Sequence, residues 1–258
     1  MRKSKTLSKW NSRLPAKVCC LQHYIPSFIA HAAHFGFDCI WLDLEHRAFT
    51  DREVQSILAQ SHQHDIDVMV RPSTLEKSKL YRYLEDGASG LMIPHVSDAK
   101  KAQMLVDYVK FPPLGDRGID GAGLDSNFMI NGGLEYTEGA NQETFLVVQI
   151  ETPEAIMNVD EIAAVEGVDC LFLGTGDLSL RINKLNSKFD LEESIKKVVE
   201  AAQKNGKVWC RPVSGEEDIL TILKQNSLFI PYGGDFMMLM NGLKQHSAEL
   251  DSCIKKQF

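Results

Sequence analysis

The sequence predicts an α/β fold, a single (β/α)8 barrel spanning 1–258, and three observations carry that expectation. Short apolar runs alternate with helix-patterned stretches along the whole chain, as βα units on a parallel sheet do. There are eight runs of each kind. The length of 258 residues is also about what one such barrel needs. An open doubly wound sheet is the competing arrangement, but no G-x-G-x-x-G follows the first apolar run to support it.

The expected strands are 18–21, 39–42, 68–70, 90–93, 145–150, 170–173, 208–210 and 228–231. Several are apolar almost throughout, as strands covered on both faces are. The expected helices are 27–35, 51–62, 76–86, 98–110, 153–165, 191–205, 216–225 and 235–255. Ser97-Asp98 precedes an amphipathic run, and Thr152-Pro153-Glu154 puts Pro and Glu in a first turn. Gly36, Gly87 and Gly206 follow helix ends, where a left-handed residue is often needed. Segment 111–141, rich in Gly, Pro and Asp, breaks the rhythm. A loop of that length is usually functional or disordered, and it is expected near the active-site mouth.

Composition narrows the function classes. Hydrophobic residues make up 44% and charged residues 24% of the chain, ordinary values for a soluble globular protein. A net charge of −7 argues against a nucleic-acid partner. No apolar run is long enough to span a membrane, and the basic, polar stretch 1–13 lacks the apolar core of a signal peptide. The six cysteines form no C-x-x-C, and five of them lie in apolar strand-like runs. They are expected to be reduced and buried, in a cytoplasmic protein.

In barrels of this kind, catalytic residues sit at the C-terminal ends of strands. Those ends carry Gln22-His23, Asp43-Leu44-Glu45-His46-Arg47, Arg71-Pro72, Pro94-His95, Gln149 with Glu151, Gly174-Thr175-Gly176-Asp177, Arg211-Pro212 and Gly233-Gly234-Asp235. Glu151 and Asp177 end successive strand units, and two carboxylates with substrate and water oxygens suit a hard cation. Each taken alone reads equally well as a helix cap; taken together they favour the metal. Asp43 beside His46 can orient an imidazole as a base, although the tripeptide alone reads first as a solvated turn. Arg71 suits a carboxylate or a developing enolate, and also an ion pair with Asp43 or Glu45. Arg211-Pro212 repeats the Arg-Pro pattern and could read a second acidic group, although an ion pair is the simpler reading. The Gly174–Gly176 turn can offer amides to an anion, a weak signal because turns need Gly anyway. The pairs His31/His34 and His62/His64 read as packing or solvent residues.

Taken together, the motifs resemble the HpcH/HpaI aldolases, class II metal-dependent pyruvate aldolases related to 2-dehydro-3-deoxyglucarate and 4-hydroxy-2-oxoheptanedioate aldolases. The resemblance runs from about Cys19 to Leu243. It rests on Gly36-Phe37-Asp38, Asp43-Leu44-Glu45-His46, Val70-Arg71-Pro72, Phe111-Pro112-Pro113 with Arg117-Gly118, Val148-Gln149-Ile150-Glu151-Thr152, Val165-Glu166-Gly167-Val168-Asp169 and Gly174-Thr175-Gly176-Asp177-Leu178-Ser179. It implies a barrel of the phosphoenolpyruvate/pyruvate-binding type, with the last helix often exchanged between subunits of a hexamer (a trimer of dimers). It implies Glu151 and Asp177 as ligands of Mg²⁺ or Mn²⁺, with Co²⁺ or Zn²⁺ as alternatives. It further implies His46 with Asp43 as the base acting through a water, and Arg71 on the 2-oxo oxygen. Gln149 and the amides of Gly176 and Asp177 would lie on the substrate. The expected reaction is retro-aldol cleavage of a 4-hydroxy-2-oxo acid to pyruvate and an aldehyde. A condensing enzyme on the same fold (citrate-forming or acyl-CoA-dependent) and a non-catalytic ligand-binding barrel are the alternatives. The chain departs from the family pattern at Gly-Thr-Gly-Asp in place of Gly-Pro-small-Asp, at Arg47, and in the loop 119–127, which the resemblance puts on the aldehyde side.

Overall fold

The computed structural model describes residues 2–185 and 187–258. Helix α1 (Lys5–Asn11) precedes strand β1 (Ala16–Leu21), and α2 (Pro26–His34), β2 (Cys39–Asp43), α3 (Asp51–Gln63), β3 (Asp67–Arg71), α4 (Lys77–Glu85), β4 (Gly90–Ile93) and α5 (Ala99–Val109) follow. The second half holds α6 (Leu134–Glu143), β5 (Phe145–Ile150), α7 (Pro153–Met157), α8 (Val159–Ala164), β6 (Cys170–Leu173), α9 (Thr175–Leu185), α10 (Leu191–Lys204), β7 (Val208–Cys210), α11 (Glu216–Lys224), β8 (Phe229–Gly234) and α12 (Asp235–Gln257). All strand pairs are parallel, in the order β7-β6-β5-β4-β3-β2-β1-β8. Between β7 and β8 the barrel is drawn together by the Val213–Tyr232 bridge.

The two-residue period of the strands makes two cores. Val18, Cys39, Met69, Met92, Phe145, Val147, Cys170 and Phe172 fill the barrel. Their neighbours Cys19, Ile40, Val70, Ile93, Val148 and Leu171 pack outward under the helices. Carried to the strand ends, the same period puts Asp43, Arg71 and Gln149 in the inward register, and Glu151 one step beyond β5. All six cysteines are free thiols. Burial pushes the Cys19 thiol up to about 12, with Asp235 adding to it.

Helix α1, absent from the sequence expectation, closes the N-terminal end of the barrel. Trp10 meets Phe145 and Phe229 edge-on, at 5.3 and 5.2 Å. Asp67 is fully buried there and accepts hydrogen bonds from Arg2 Nη2 (2.5 Å), Ser4 Oγ (2.6 Å) and the Thr6 amide (2.8 Å).

The segment expected near the mouth lies elsewhere. It joins the end of α5 to the start of β5, and helices antiparallel to the strands return the chain to the N-terminal end of the barrel. The Ser4 amide donates to Glu143 (2.7 Å), Lys110 Nζ donates to the Thr144 carbonyl (2.5 Å), and the Arg117 guanidinium is buried against Asp125. The segment is also structured, with a 3₁₀ turn Leu124–Ser126 and helix α6. Among the described residues, no helix is long and apolar enough to cross a membrane.

Candidate active site

At the C-terminal ends of the strands, Arg71 is held from several sides. Its Nε and Nη2 donate to the two oxygens of Asp43 at 3.0 and 2.7 Å. Its Nη1 lies 3.0 Å from Glu45 Oε2 and 3.5 Å from Gln149 Oε1. The guanidinium carbon stands 4.8 Å from the Trp41 ring centroid. Such a fork–fork pair fixes direction as well as charge. Burial alone would raise the Asp43 carboxyl, but the hydrogen bonds and charge of Arg71 outweigh it and hold it below the usual carboxylate range.

Glu151 is buried at 3% exposure and has a different environment. Oε1 accepts the His95 amide at 2.7 Å and lies 3.1 Å from His95 Nδ1; Oε2 accepts Gln149 Nε2 at 3.3 Å. Burial pushes this carboxyl up; His95 opposes that shift, and the charges of Asp177 and Glu45 add to it. Glu151 does not cap the helix that follows: Thr152 does, accepting the Ala155 amide at 3.0 Å. Gly174 is a steric requirement of this placement, because a Cβ there would overlap the Glu151 carboxylate.

Asp177 lies in the first turn of α9, a helix the sequence reading took for a Gly-rich turn. Its Oδ1 is 2.6 Å from Arg181 Nη1, and Arg181 Nη1 also reaches the Glu151 carbonyl at 3.4 Å. A Cβ at Gly176 would meet nothing within 4 Å, so packing within the chain does not demand glycine there.

The expected pairing of the His46 ring with Asp43 is not formed. Arg71 occupies the Asp43 carboxylate, which otherwise accepts the backbone N–H groups of Glu45 (3.1 Å) and His46 (3.5 Å). The His46 ring is exposed and stands 3.7 Å from Glu45. A residue three places beyond a strand's last inward position has its amide over that position, and its side chain is free to point elsewhere.

Two residues at the strand ends, His95 and Asp235, have contacts that their sequence positions do not indicate. His95, in the left-handed region at φ +54°, puts its ring between Glu151 and Glu45. On the opposite rim, buried Asp235 accepts the Gln22 amide (3.0 Å), the His23 amide (2.9 Å) and a 2.6 Å contact from His23 Nδ1. Phe236 lies between His23 (4.2 Å between centroids) and the Arg47 guanidinium (4.9 Å). The signal for both was a lone histidine after a strand, with partners far away in sequence. Arg211 is tied to Asp218 at 2.5 Å, the ion pair its sequence context suggested.

The donor chemistry fits a hard divalent cation. Glu151 is a buried carboxylate facing further negative charge, held by the His95 ring and amide and the Gln149 amide, whereas Arg71 already offsets Asp43 and Glu45. Among the described residues, no three His, Cys, Asp or Glu side chains stand in a ready-made metal arrangement, and Asp177 is turned onto Arg181.

Carboxylates and the locked Arg71 guanidinium thus converge at the C-terminal mouth of a parallel eight-stranded barrel, the arrangement of a barrel enzyme. The sequence profile of the HpcH/HpaI aldolase/citrate lyase family matches residues 18–242, and the chain belongs to that family. It is 31% identical to a hydroxypyruvate/pyruvate aldolase of Pseudomonas aeruginosa over 217 residues, 83% of this chain and 80% of that one. It is 38% identical to a 2-dehydro-3,6-dideoxy-6-sulfogluconate aldolase of Pseudomonas putida over 144 residues, 56% of each chain. The crystal structure of an HpcH/HpaI aldolase from Desulfitobacterium hafniense DCB-2 superimposes with a TM-score of 0.85 at 27% identity, covering 96% of this chain and 95% of that one. With aldolases as relatives over most of its length, the chain is a carbon–carbon lyase of the aldolase type.

Proposed function

We propose that this chain cleaves 4-hydroxy-2-oxo acids to pyruvate and an aldehyde with the help of a divalent cation, Mg²⁺ or Mn²⁺, held by Glu151 and Asp177. The observation that carries the reading is the locked Arg71 guanidinium, its third nitrogen directed toward Gln149 beside Glu151. Cleavage of the C3–C4 bond leaves the electron pair on the pyruvate half as an enolate. When bound, the cation supplies Lewis-acid stabilisation of that negative charge. Arg71, pre-oriented by Asp43 and Trp41, would donate a hydrogen bond to the 2-oxo oxygen, so little reorganisation accompanies the charge development. Gln149 orients Glu151 and lines the substrate. The open space at Gly176 lets the substrate carboxylate approach the backbone of the first turn of α9, where helix N-terminal amides favour an anion.

The 4-hydroxyl proton must leave as the bond breaks. His46 is the base of this reading, reached through a water, and Glu45 rather than Asp43 supports its ring. Phe236, His23 and Arg47 form the opposite rim, and this reading sets the aldehyde half against them.

The relatives' aldolase activities support this substrate class. A homo-oligomeric state, in the hexameric form of the family resemblance, is supported by α12, which leaves Leu239, Leu243, Leu250 and Ile254 exposed. Pyruvate release from a panel of 2-oxo-3-deoxy sugar acids and 4-hydroxy-2-oxo diacids tests the reading. Turnover of at least one by the wild type, lost in Arg71→Ala, is expected; no pyruvate from any of them would contradict it.

A further inference from the structure

His95 has no part in the reaction as described above, yet the fold holds it at some expense. It is a non-glycine residue at φ +54°, a conformation that persists in such residues only where surrounding contacts enforce it. Those contacts are visible. Its amide donates to Glu151 Oε1 at 2.7 Å, and Lys101 Nζ donates to its carbonyl at 2.8 Å. The strained backbone thereby delivers the imidazole to one place: Nδ1 lies 3.1 Å from Glu151 Oε1, and Nε2 lies 4.0 Å from Glu45 Oε1.

Three properties of this arrangement fit a metal ligand. Neighbouring donors of an octahedral cation at about 2.1 Å lie about 3 Å apart, which is the Nδ1–Oε1 separation observed. A ligating histidine commonly turns its second ring nitrogen toward a carboxylate, which fixes tautomer and orientation; Glu45 stands on that side. And the half-exposed ring sets its Nδ1 against Glu151 and its Nε2 toward Glu45. The geometry points to His95 as a ligand, through Nδ1, of the cation that Glu151 and Asp177 hold, an inference that rests on the proposed function. His95 and Glu151 form the pre-set pair, and Asp177 joins when it leaves Arg181. One nitrogen among oxygen donors shifts selectivity away from Mg²⁺ and toward Mn²⁺, Co²⁺ or Zn²⁺, which accept imidazole more readily.

The test uses the full-length protein stripped of metal by chelation, titrated with Mn²⁺ and with Mg²⁺ by calorimetry. His95→Gly removes the ring while suiting the left-handed backbone, and His95→Asn serves as a second variant that tolerates the same backbone; circular dichroism checks folding of each. Mn²⁺ affinity is expected to fall at least about tenfold in both variants, with a smaller loss for Mg²⁺. Pulsed paramagnetic resonance of the wild-type Mn²⁺ complex is expected to show coupling to an imidazole nitrogen that both variants lack. Absence of that coupling in the wild type, or an unchanged Mn²⁺ to Mg²⁺ affinity ratio in folded variants, would overturn the assignment. Glu151→Gln separates the two levels. If it loses metal while the His95 variants keep it, only the His95 ligand is wrong; if it too keeps metal, the proposed function falls.

Discussion

The two ends of this barrel carry similar residues and use them in opposite ways. At the N-terminal end, Asp67 is fully buried and surrounded by donors: a guanidinium, two hydroxyls and an amide. At the C-terminal end, Glu151 is almost as buried, but it faces Asp177 and Glu45, and burial pushes its carboxyl up. A buried charge that is fully partnered specifies structure, whereas one left short of positive charge is poised for a ligand. The comparison separates a plug from a reaction site, and substitutions on the two sides should break different properties.

The largest effect is expected from Glu151→Gln. Steady-state kinetics should show kcat/KM lower by about 10³-fold, while urea unfolding without metal finds the variant at least as stable as the wild type. Asp67→Asn should do the reverse. It weakens the charge that holds Arg2, at about 3 kcal/mol of stability, and leaves kcat per folded molecule unchanged. Arg71→Lys keeps the positive charge but loses the fork onto Asp43; kcat/KM should fall by about 10²-fold with little change in urea midpoint. The smallest effect concerns acid stability. The Asp43 carboxyl is held below its unfolded value of 3.8, so its contribution is present above that pH and is lost as pH falls through the lower folded value. Asp43→Asn should flatten that part of the acid limb in pH-dependent unfolding.

Much of this arrangement was legible in the chain, for reasons that particular residues show. The apolar runs around Val68 and Val147 predict strands because a barrel strand is buried on both faces, and each strand begins within a few residues of its expected place. The Asp43 carboxylate, the Arg71 guanidinium and the Gln149 amide came out at the mouth because a period of two carries Trp41 to Asp43, Met69 to Arg71 and Val147 to Gln149. What the pattern did not carry was direction beyond the strands. Asp43 and His46 are close in sequence, but Arg71 outcompetes the imidazole for the carboxylate. The partners of His95 lie fifty residues or more away, at Glu45 and Glu151, and no local pattern announces them. Helix α1 is polar and short, and it owes its place to Trp10 and Asp67. The segment 111–141 was expected at the mouth from its length, composition and place before the fifth strand, whereas chain direction puts it at the other end.

The central claim, that Glu151 belongs to a cation site driving retro-aldol cleavage, is tested most directly by pyruvate release before and after chelation. With a turned-over 4-hydroxy-2-oxo acid, EDTA treatment followed by removal of the chelator should abolish release, and added Mn²⁺ or Mg²⁺ should restore it. Full activity in the stripped protein would contradict the account.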